Sequence, residues 1–525
     1  MLLLLLILIP VLWIVYKEQF YARKRRKIAH TQGPKMLPFI GNAHQLGKTP
    51  HDILNFMFDN LYKYNHHNFR VWIGYYLNIF VTEPQDVEFI LSSSSLIKKS
   101  DIYEMTFDWL GDGLLTGSGP KWHKHRKIIT PAFHFKILQD FHEVMNKNSN
   151  KFMDKLREAS KGDNIFDFQN MVNYFTLDVI CDTAMGVSIN AMDNPHTEFA
   201  KAVEYICANI NMRAFHPLKR SKLTYQFFPE YQDYCKAVKT LKDFTFDVIE
   251  KRIKLHQAQE ENKPLDNGHD EFTKPRRAFL DTLLSARVDN RPFTTQELYE
   301  EVSTFIFAGH DTTSSAISFV VYLLSRHLAV QAKVYEEQQR IMGDHMKRDA
   351  TFQEIADMKY LDMVVKETLR LYPSVPMVGR HTEKEYNMNG KLIPEDTSLN
   401  IFIMSLGYNE HNFPDPYRFD PERFADGAEA HKPFELVPFS AGLRNCIGQK
   451  FAQLEIKTVI SKIIRNFQIL PAIDELASQD GYVSNILGPL REEQRPKLHK
   501  YEPKLEMVLT LKSENGIMVR MRERN

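Results

Sequence analysis

The chain has 525 residues, a formal net charge of +1, 43% hydrophobic residues and 25% charged residues. This balance is typical of a globular protein with ample material for a core, and the whole-chain charge gives no support for a nucleic-acid partner. The four cysteines are too few for a disulfide framework, and none has the C-x-x-C spacing of a zinc site or redox dithiol. We therefore expect a reducing, cytosol-facing environment.

The N-terminus departs from this composition. Residues 1–16, MLLLLLILIPVLWIVY, form an uncharged apolar run at the short end of the length of a membrane-spanning helix. The basic cluster RKRRK, residues 23–27, follows the run, whereas a cleaved signal peptide has its basic residues before it. Because positive charge stays on the cytoplasmic side, the sequence predicts an uncleaved signal anchor at residues 1–21, with a cleaved peptide as the alternative. A basic, proline-containing lead follows over residues 22–44.

Residues 45–525 are predicted to form a single large, mainly α domain with a small β part. Helical patterns dominate residues 142–252 and 294–372, and the polar residues 256–277 are expected to form a surface loop. The β-branched and aromatic residues 71–81 predict a hairpin, and alternation around the Asn-Gly pair in residues 509–521 predicts another.

A capping box begins a long predicted helix over residues 294–326. Its middle, FAGHDTTSSA at residues 307–316, places Ala308 and Thr312 on a face that is small in the middle, which leaves room for a flat group or a ligand. Asp311 beside Thr312 could relay protons into such a space. The alternative is a core helix with a satisfied threonine and an exposed aspartate.

A second helix, YLDMVVKETLRLYP at residues 360–373, is apolar nearly all round and is therefore predicted to be buried. Glu367 and Arg370 lie three residues apart on it, and buried charges need full pairing. Arg423, in FDPERF at residues 419–424, is the expected third partner. The alternative is a half-exposed helix with a surface ion pair.

Cys446 lies in FSAGLRNCIG, residues 439–448, where a loop enters another predicted helix. A helix N-terminus favours a thiolate over a thiol, and a soft thiolate is a ligand for iron. Gly442 and Gly448 permit close approach of the backbone to a flat partner, and Arg444 could neutralise an acidic group at its edge. The alternative is a buried structural cysteine.

Taken together, these residues resemble the cytochromes P450. FSAGLRNCIG fits that family's haem-thiolate loop F-x-x-G-x-R-x-C-x-G, ETLR its E-x-x-R pair, PERF its meander, AGHDTT its central helix and WHKHRK its W-x-x-x-R helix. The motifs occur in the family's order, and the anchor and lead resemble the microsomal branch. EVSTFIFAGHDTTSSA, PFSAGLRNCIGQKFA, FTFDVIEKR and FLDTLL are most similar to family four.

The chain departs from family four in three places. Ala308 stands where many members carry a glutamate, to which some attach haem covalently, and Glu301 lies roughly 10 Å earlier along the helix. Leu443 replaces a usual proline in the cysteine loop. Residues 471–503 resemble an insertion, to which the sequence assigns no role.

The resemblance implies a haem b group, bound without an ester, between the central helix and the helix that follows the cysteine loop. It implies that Cys446 is the axial iron ligand and that Asp311 and Thr312 deliver protons. The other implied contacts to haem are Trp122, Arg126, Ala308, Arg380, Phe439, Arg444 and Gly448, with Trp122 and the three arginines on the propionates. Glu367, Arg370 and Arg423 are implied to be structural.

The implied activity is a monooxygenase acting on a lipophilic substrate: a fatty acid, a hormone-like isoprenoid, or a foreign compound such as an insecticide. Electrons would come from NADPH–cytochrome P450 reductase, with cytochrome b5 as a further partner, at the endoplasmic reticulum membrane. The alternatives are a reductase-independent haem-thiolate isomerase or dehydratase and a non-enzymatic haem sensor. Lys121, Lys124, Lys127 and Lys450 are either a reductase dock or a solvated face, and residues 215–229 either touch the membrane or form an ordinary loop.

Overall fold

The computed structural model describes residues 19, 21–194, 198–261, 278–428, 432–478, 481–483 and 499–524. Apart from residues 19 and 21, the predicted anchor at residues 1–21 lies outside this part of the chain, as does much of the segment 471–503. Among the described residues, no single helix is long and apolar enough to cross a membrane. One pair of helices passes that test only together, Thr295–Arg326 with Leu328–Met342, and it is bent by 109°.

The described chain is mainly helical, as the sequence predicts. Its helices are α1 Pro50–Lys63, α2 Pro84–Ser92, α3 Phe107–Leu110, α4 Gly119–Ile129, α5 Phe135–Ala159, α6 Phe168–Ile180, α7 Glu198–Ala214, α8 Lys222–Tyr225, α9 Tyr231–Glu261, α10 Phe279–Ser285, α11 Thr295–Arg326, α12 Leu328–Met342, α13 Phe352–Asp357, α14 Lys359–Leu371, α15 Ile403–Gly407 and α16 Gln449–Asn466.

The β part of the described chain consists of five small sheets. The strands are β1 Phe69–Ile73, β2 Tyr76–Val81, β3 Phe166–Asp167, β4 Arg287–Val288, β5 Arg291–Pro292, β6 Val378–His381, β7 Tyr386–Met388, β8 Lys391–Ile393, β9 Thr397–Ile401, β10 Phe467–Pro471, β11 Leu505–Met507, β12 Leu511–Ser513 and β13 Met518–Glu523. The largest sheet has the order β1-β2-β9-β6, a second has the order β10-β13-β3, and the other three are two-stranded pairs. The predicted hairpin at residues 71–81 is confirmed as β1 and β2, which pair in antiparallel register.

The central helix α11 begins where the capping box predicts. The Thr294 hydroxyl accepts a hydrogen bond from the Glu297 amide, and the Glu297 carboxylate accepts one from the Thr294 amide. The helix continues for 32 residues, most of them buried, and it packs against α6, α9, α14 and α16. This burial on all sides places α11 through the core.

Helix α14 is held by the predicted charge cluster. Arg370 donates two hydrogen bonds to the Glu367 carboxylate, at 2.7 and 2.8 Å, and both side chains are fully buried. Arg423 Nε lies 3.4 Å from Glu367 Oε1, and the Asp420 amide donates to the same oxygen at 2.9 Å. The meander segment is therefore fixed to α14 through Glu367. The ion pair is buried, so a surface pair is wrong, but the helix has an exposed side at Lys359 and Lys366 and is not buried all round.

Two local predictions are wrong. Helix α9 continues to Glu261, so the first residues of the predicted polar loop at 256–277 are helical, and residues 262–277 lie outside the described chain. Residues 509–521 do not form a hairpin, because β12 pairs with β11 while β13 pairs with β10 and β3. Asp167 accepts the Ile517 amide at 3.0 Å and directs the chain after Gly516 toward the other sheet.

The lead packs against the largest sheet. Asn42 is fully buried, and its side chain accepts the Trp72 amide at 2.9 Å and donates to Lys35 O at 3.0 Å. Lys24 is 5% exposed and pairs with Asp396. Residues 21–44 are thus attached to the fold that follows them.

Candidate active site

Cys446 borders a cavity of about 240 Å³ that is also lined by residues of α11 and α16. The Cys446 amide donates to Phe439 O at 2.9 Å, which closes the loop so that the thiol and the half-buried Phe439 ring both reach this cavity. At Gly448 an added Cβ would meet no described atom within 4 Å, whereas at Gly442, with φ +67°, it would strike Leu91 O. Gly448 therefore leaves clearance beside Cys446, and Gly442 is required by its approach to α2.

Burial raises the pKa of the Cys446 thiol, while the Gly448 amide and the Arg126 charge lower it. The net direction is upward, toward the neutral thiol. A metal ion that binds the sulfur would supply the missing stabilisation, because coordination deprotonates a thiol.

A group of cations lies along one edge of the same cavity. Lys99, Arg126, Arg380 and Arg444 all border it. Burial and repulsion from Arg380 lower the pKa of Arg444 to about 9, and burial, Arg380 and Arg444 hold that of Lys99 well below its ordinary value. No acidic side chain is among the described residues that border this cavity. The positive charges along this edge therefore repel one another without a counter-charge, and they suit a flat group that carries carboxylates.

The fold positions these cations through side-chain and backbone contacts. Arg444 donates to Ile97 O at 3.1 Å and to Gly117 O, and its guanidinium lies 3.8 Å from the centre of the Trp122 ring. Trp122 itself donates to Leu114 O at 3.0 Å. Arg126 donates to the Asn445 carbonyl and side chain at 3.0 and 2.8 Å, which joins α4 to the cysteine loop. The four predicted propionate residues therefore lie along one edge of the cavity, and Lys99, which no motif marks, lies among them.

Opposite the cysteine loop, α11 presents Ala308 and Thr312 to the cavity. The Thr312 hydroxyl donates to Ala308 O at 2.7 Å, and Thr313 makes the same bond to Gly309 O. Asp311 is fully buried and pairs with Lys512, and it does not border the cavity in the described structure. The exposed aspartate of the alternative interpretation is wrong.

Ala308 and Thr312 also border a second lobe of about 140 Å³, here called the upper lobe. Its other walls come from residues near 100–106, from α7 and from residues 507–510, and they are mostly apolar. No charged side chain is among the described residues that line it. The two lobes share Ala308 and Thr312, so a ligand in the upper lobe can reach the space above Cys446.

Glu301 is not available to the cavity. Its carboxylate accepts the Leu114 amide at 3.1 Å and a hydrogen bond from His125 at 2.7 Å, and it is fully buried. Leu443, the departure within the cysteine loop, is 48% exposed at the surface, and nothing in the structure explains the choice of leucine there.

The four lysines of the predicted reductase dock differ in whether an acid pairs with them. Lys121 pairs with Glu300 at 2.7 Å and Lys124 with Asp289 at 2.7 Å, so both charges are offset. Lys127 and Lys450 are exposed.

Comparison with known proteins agrees with this site. A family profile described as cytochrome P450 matches residues 31–485. "Cytochrome P450 4e2" of Drosophila melanogaster is 57% identical over 521 residues, covering 98% of each chain, and "Probable cytochrome P450 4e1" of the same species is 56% identical over 520 residues, covering 98% and 97%. "Cytochrome P450 4e5, mitochondrial" of Drosophila mettleri is 55% identical over 503 residues, covering 95% of each.

The cavity with its single cysteine, its cationic edge and its apolar lobe thus occurs in a chain that matches this family along most of its length. A haem-iron enzyme of this kind needs O2, a small-molecule substrate and a redox partner. The chain belongs to the cytochrome P450 family, among the members of its family four, and is a haem-thiolate monooxygenase.

Proposed function

We propose that Cys446 is the axial ligand of a haem b group whose propionates are bound by the cationic edge of the cavity. The observation that carries this proposal is a set of four cations that border the cavity beside a cysteine, with no acid among the described lining residues. Arg380 is buried, and Lys99, Arg126 and Arg444 are half-buried. A thiolate-ligated haem supplies O2 activation and cleavage of the O–O bond. Trp122 orients Arg444, and Phe439 and Gly448 shape the side of the cavity near the sulfur.

In this proposal Ala308 and Thr312 form the wall against which the reacting carbon of the substrate lies. The Thr312 hydroxyl is the polar group on that wall nearest to the substrate space and, by turning away from Ala308 O, it can donate or pass on a proton. Asp311 supplies protons from the side of α11 that faces away from the cavity. Glu367, Arg370 and Arg423 keep α14 and the meander in place and take no part in the chemistry.

The substrate that fits the upper lobe best is a neutral lipophile. The lobe is mostly apolar and has no cation among its described lining residues to pair with a carboxylate. Hormone-like isoprenoids and foreign lipophiles, including insecticides, meet this requirement, whereas an ionised fatty acid would place its charge against apolar walls.

Electrons reach the site from NADPH–cytochrome P450 reductase, with cytochrome b5 as a second donor. Lys127 and Lys450 are exposed on α4 and α16, the two helices next to the cysteine loop, and they suit an acidic partner. The two paired lysines, Lys121 and Lys124, contribute less to such a dock.

The chain acts at the endoplasmic reticulum membrane with its catalytic domain in the cytosol. Leu218, Leu223 and Phe227 are 58%, 73% and 81% exposed, and Leu37 and Phe39 are also exposed. Pro217 lies close to Gly74 and, through it, to Phe39, so these side chains belong to one region. Exposed apolar and basic residues together favour a membrane surface.

The experiment that tests the function combines a spectrum with turnover. The reduced, haem-loaded protein with carbon monoxide should show the band of a thiolate-ligated haem, and Cys446→Ala should lose it. NADPH consumption with the reductase and a lipophile then separates a monooxygenase from a reductase-independent isomerase or a sensor. A wild-type protein that binds haem without this band would overturn the assignment of Cys446.

A further inference from the structure

The acid next to the cavity threonine is held by a separate element of the fold. Asp311 Oδ1 lies 2.6 Å from Lys512 Nζ, and Asp311 Oδ2 accepts a hydrogen bond from the Thr510 hydroxyl at 2.7 Å. Thr312, one residue later, borders both lobes of the cavity. Neighbouring residues on a helix face different directions, so Asp311 is turned toward the β11–β12 hairpin and away from the substrate space.

The same hairpin forms part of the cavity wall. Its tip, residues 507–510, borders the upper lobe, and the Val508 amide donates to Thr510 O at 3.1 Å to close the turn. Thr510 therefore contacts the substrate space on one side and the carboxylate of Asp311 on the other. A displacement of the tip would therefore act on Asp311 directly, because Thr510 belongs to the tip and is hydrogen-bonded to that carboxylate.

The tip makes few hydrogen bonds to its surroundings, although Met507, Val508 and Thr510 are buried. The Leu511 amide, at the end of the tip, donates to Ser374 O at 2.9 Å. Among the described strands, β11 and β12 pair only with each other. The Asn211 side chain donates to Val508 O at 3.1 Å, and both residues border the upper lobe. Nearer the base, the Ser315 hydroxyl donates to Leu511 O at 2.6 Å. A ligand that fills the lobe thus lies against the Asn211–Val508 bond, while the base of the hairpin stays attached to α11.

The ion pair is buried on all sides. Burial acts to raise the pKa of Asp311, but the charge of Lys512 holds it below its ordinary value, and Asp311 in turn raises the pKa of Lys512. The other titratable groups near the pair are His310 on α11, Glu204 and Cys207 on α7, and Glu506, which lies opposite Lys512 in the hairpin register. A carboxylate buried here without Lys512 would take up a proton.

We propose that the β11–β12 hairpin couples substrate occupancy to proton supply. Thr510 and Lys512 are positioning residues that hold Asp311 away from the cavity, and a ligand against residues 507–510 loosens that hold. Once Lys512 no longer holds it, Asp311 takes up a proton from solvent and passes that proton to the cavity beside Thr312, while Lys512 stays protonated throughout. The inference rests on the proposed function, because the monooxygenase cycle is what consumes these protons.

The test uses two iron-binding probes on the haem-loaded chain. Imidazole binds iron and leaves the upper lobe free, whereas 1-octylimidazole carries a tail that must enter it, and the Soret shift reports binding of both. Difference infrared spectra read the carboxyl group of Asp311, identified as the signal that Asp311→Asn removes. We expect 1-octylimidazole to change this signal and imidazole to leave it unaltered. The same response to both probes, or no response to either, would overturn the coupling.

Variants of the hairpin provide the second arm. Lys512→Met should show a protonated Asp311 without any probe, and Thr510→Val should lower the product formed per NADPH and raise peroxide release. Lys504→Met is the matched control, since Lys504 pairs with Glu514 near the hairpin at a half-exposed site, and it should behave as wild type. An ionised Asp311 in Lys512→Met refutes the holding role. A missing thiolate band would instead refute the proposed function, so the two failures are distinguishable.

Discussion

Replacing Glu367 with glutamine should destabilise the protein strongly without changing its chemistry. The substitution keeps the shape of the side chain but leaves Arg370, which is 1% exposed, without its counter-charge. Arg370 would retain its bonds to Gly407 O and Pro416 O, at 2.5 and 2.8 Å, and these carbonyls carry no charge. Breaking a buried ion pair by removing one partner costs about 3–5 kcal/mol, and loss of the Arg423 contact acts in the same direction.

The assay is urea unfolding followed by the thiolate carbon monoxide band, with Asp362→Asn as the matched control. Asp362 pairs with Lys366 at 2.9 Å on the same helix, but both side chains reach solvent, and such a pair contributes about 0–1 kcal/mol. We expect Glu367→Gln to lose the band at clearly lower urea, and the folded fraction to turn over normally. Equal midpoints for the two variants would refute the argument from buried charge.

Four further predictions follow from the site and the surface. Thr312→Ala should raise peroxide release per NADPH, and fully coupled turnover would argue against a proton role for its hydroxyl. Arg291 and the Thr294 cap lower the pKa of Glu297 to about 2 from 4.5. The ionised carboxylate therefore stabilises the fold above about pH 4.5, and this stabilisation is lost as the pH falls toward 2. Glu297→Gln should melt at a lower temperature than wild type at pH 7, and the difference in melting temperature should shrink in acid. Leu223→Ser with Phe227→Ser should weaken sedimentation with anionic vesicles, while Leu255→Ser, roughly 36 Å along α9 from its start, should not. Acidified organic solvent should extract unmodified haem from wild type, and haem that stays on the protein would contradict a non-covalent site.

The long elements could be predicted because their signals are local. A capping box and a run of core residues fix α11, and an apolar surface with two charges fixes α14 and its buried pair. The cysteine loop could likewise be found from its glycines and arginine. In each case the residues that decide the structure lie within a few turns of one another.

The remaining features depend on contacts between distant parts of the chain. The Asn-Gly turn at residues 515–516 is a local hairpin signal, but β13 finds better partners in β10 and β3. Lys99 carries no motif, and it joins the cationic edge only because the chain after α2 passes beside Arg380 and Arg444. Lys512 lies about 200 residues from Asp311 in the sequence, so the ion pair that positions the acid has no sequence signal at all.

The distribution of charge within the cavity also supports the proposed substrate class. Its four cations lie along the cavity edge where the carboxylates of the cofactor are proposed to bind. The upper lobe has no cation among its described lining residues. An ionised substrate would therefore have to compete for the cofactor's own partners or lose its hydration against apolar walls. A neutral molecule meets neither cost, and it can also press on residues 507–510 without forming an ion pair with Lys512. The same arrangement therefore supports the proposed neutral lipophile, which does not compete with Asp311 for the charge of Lys512.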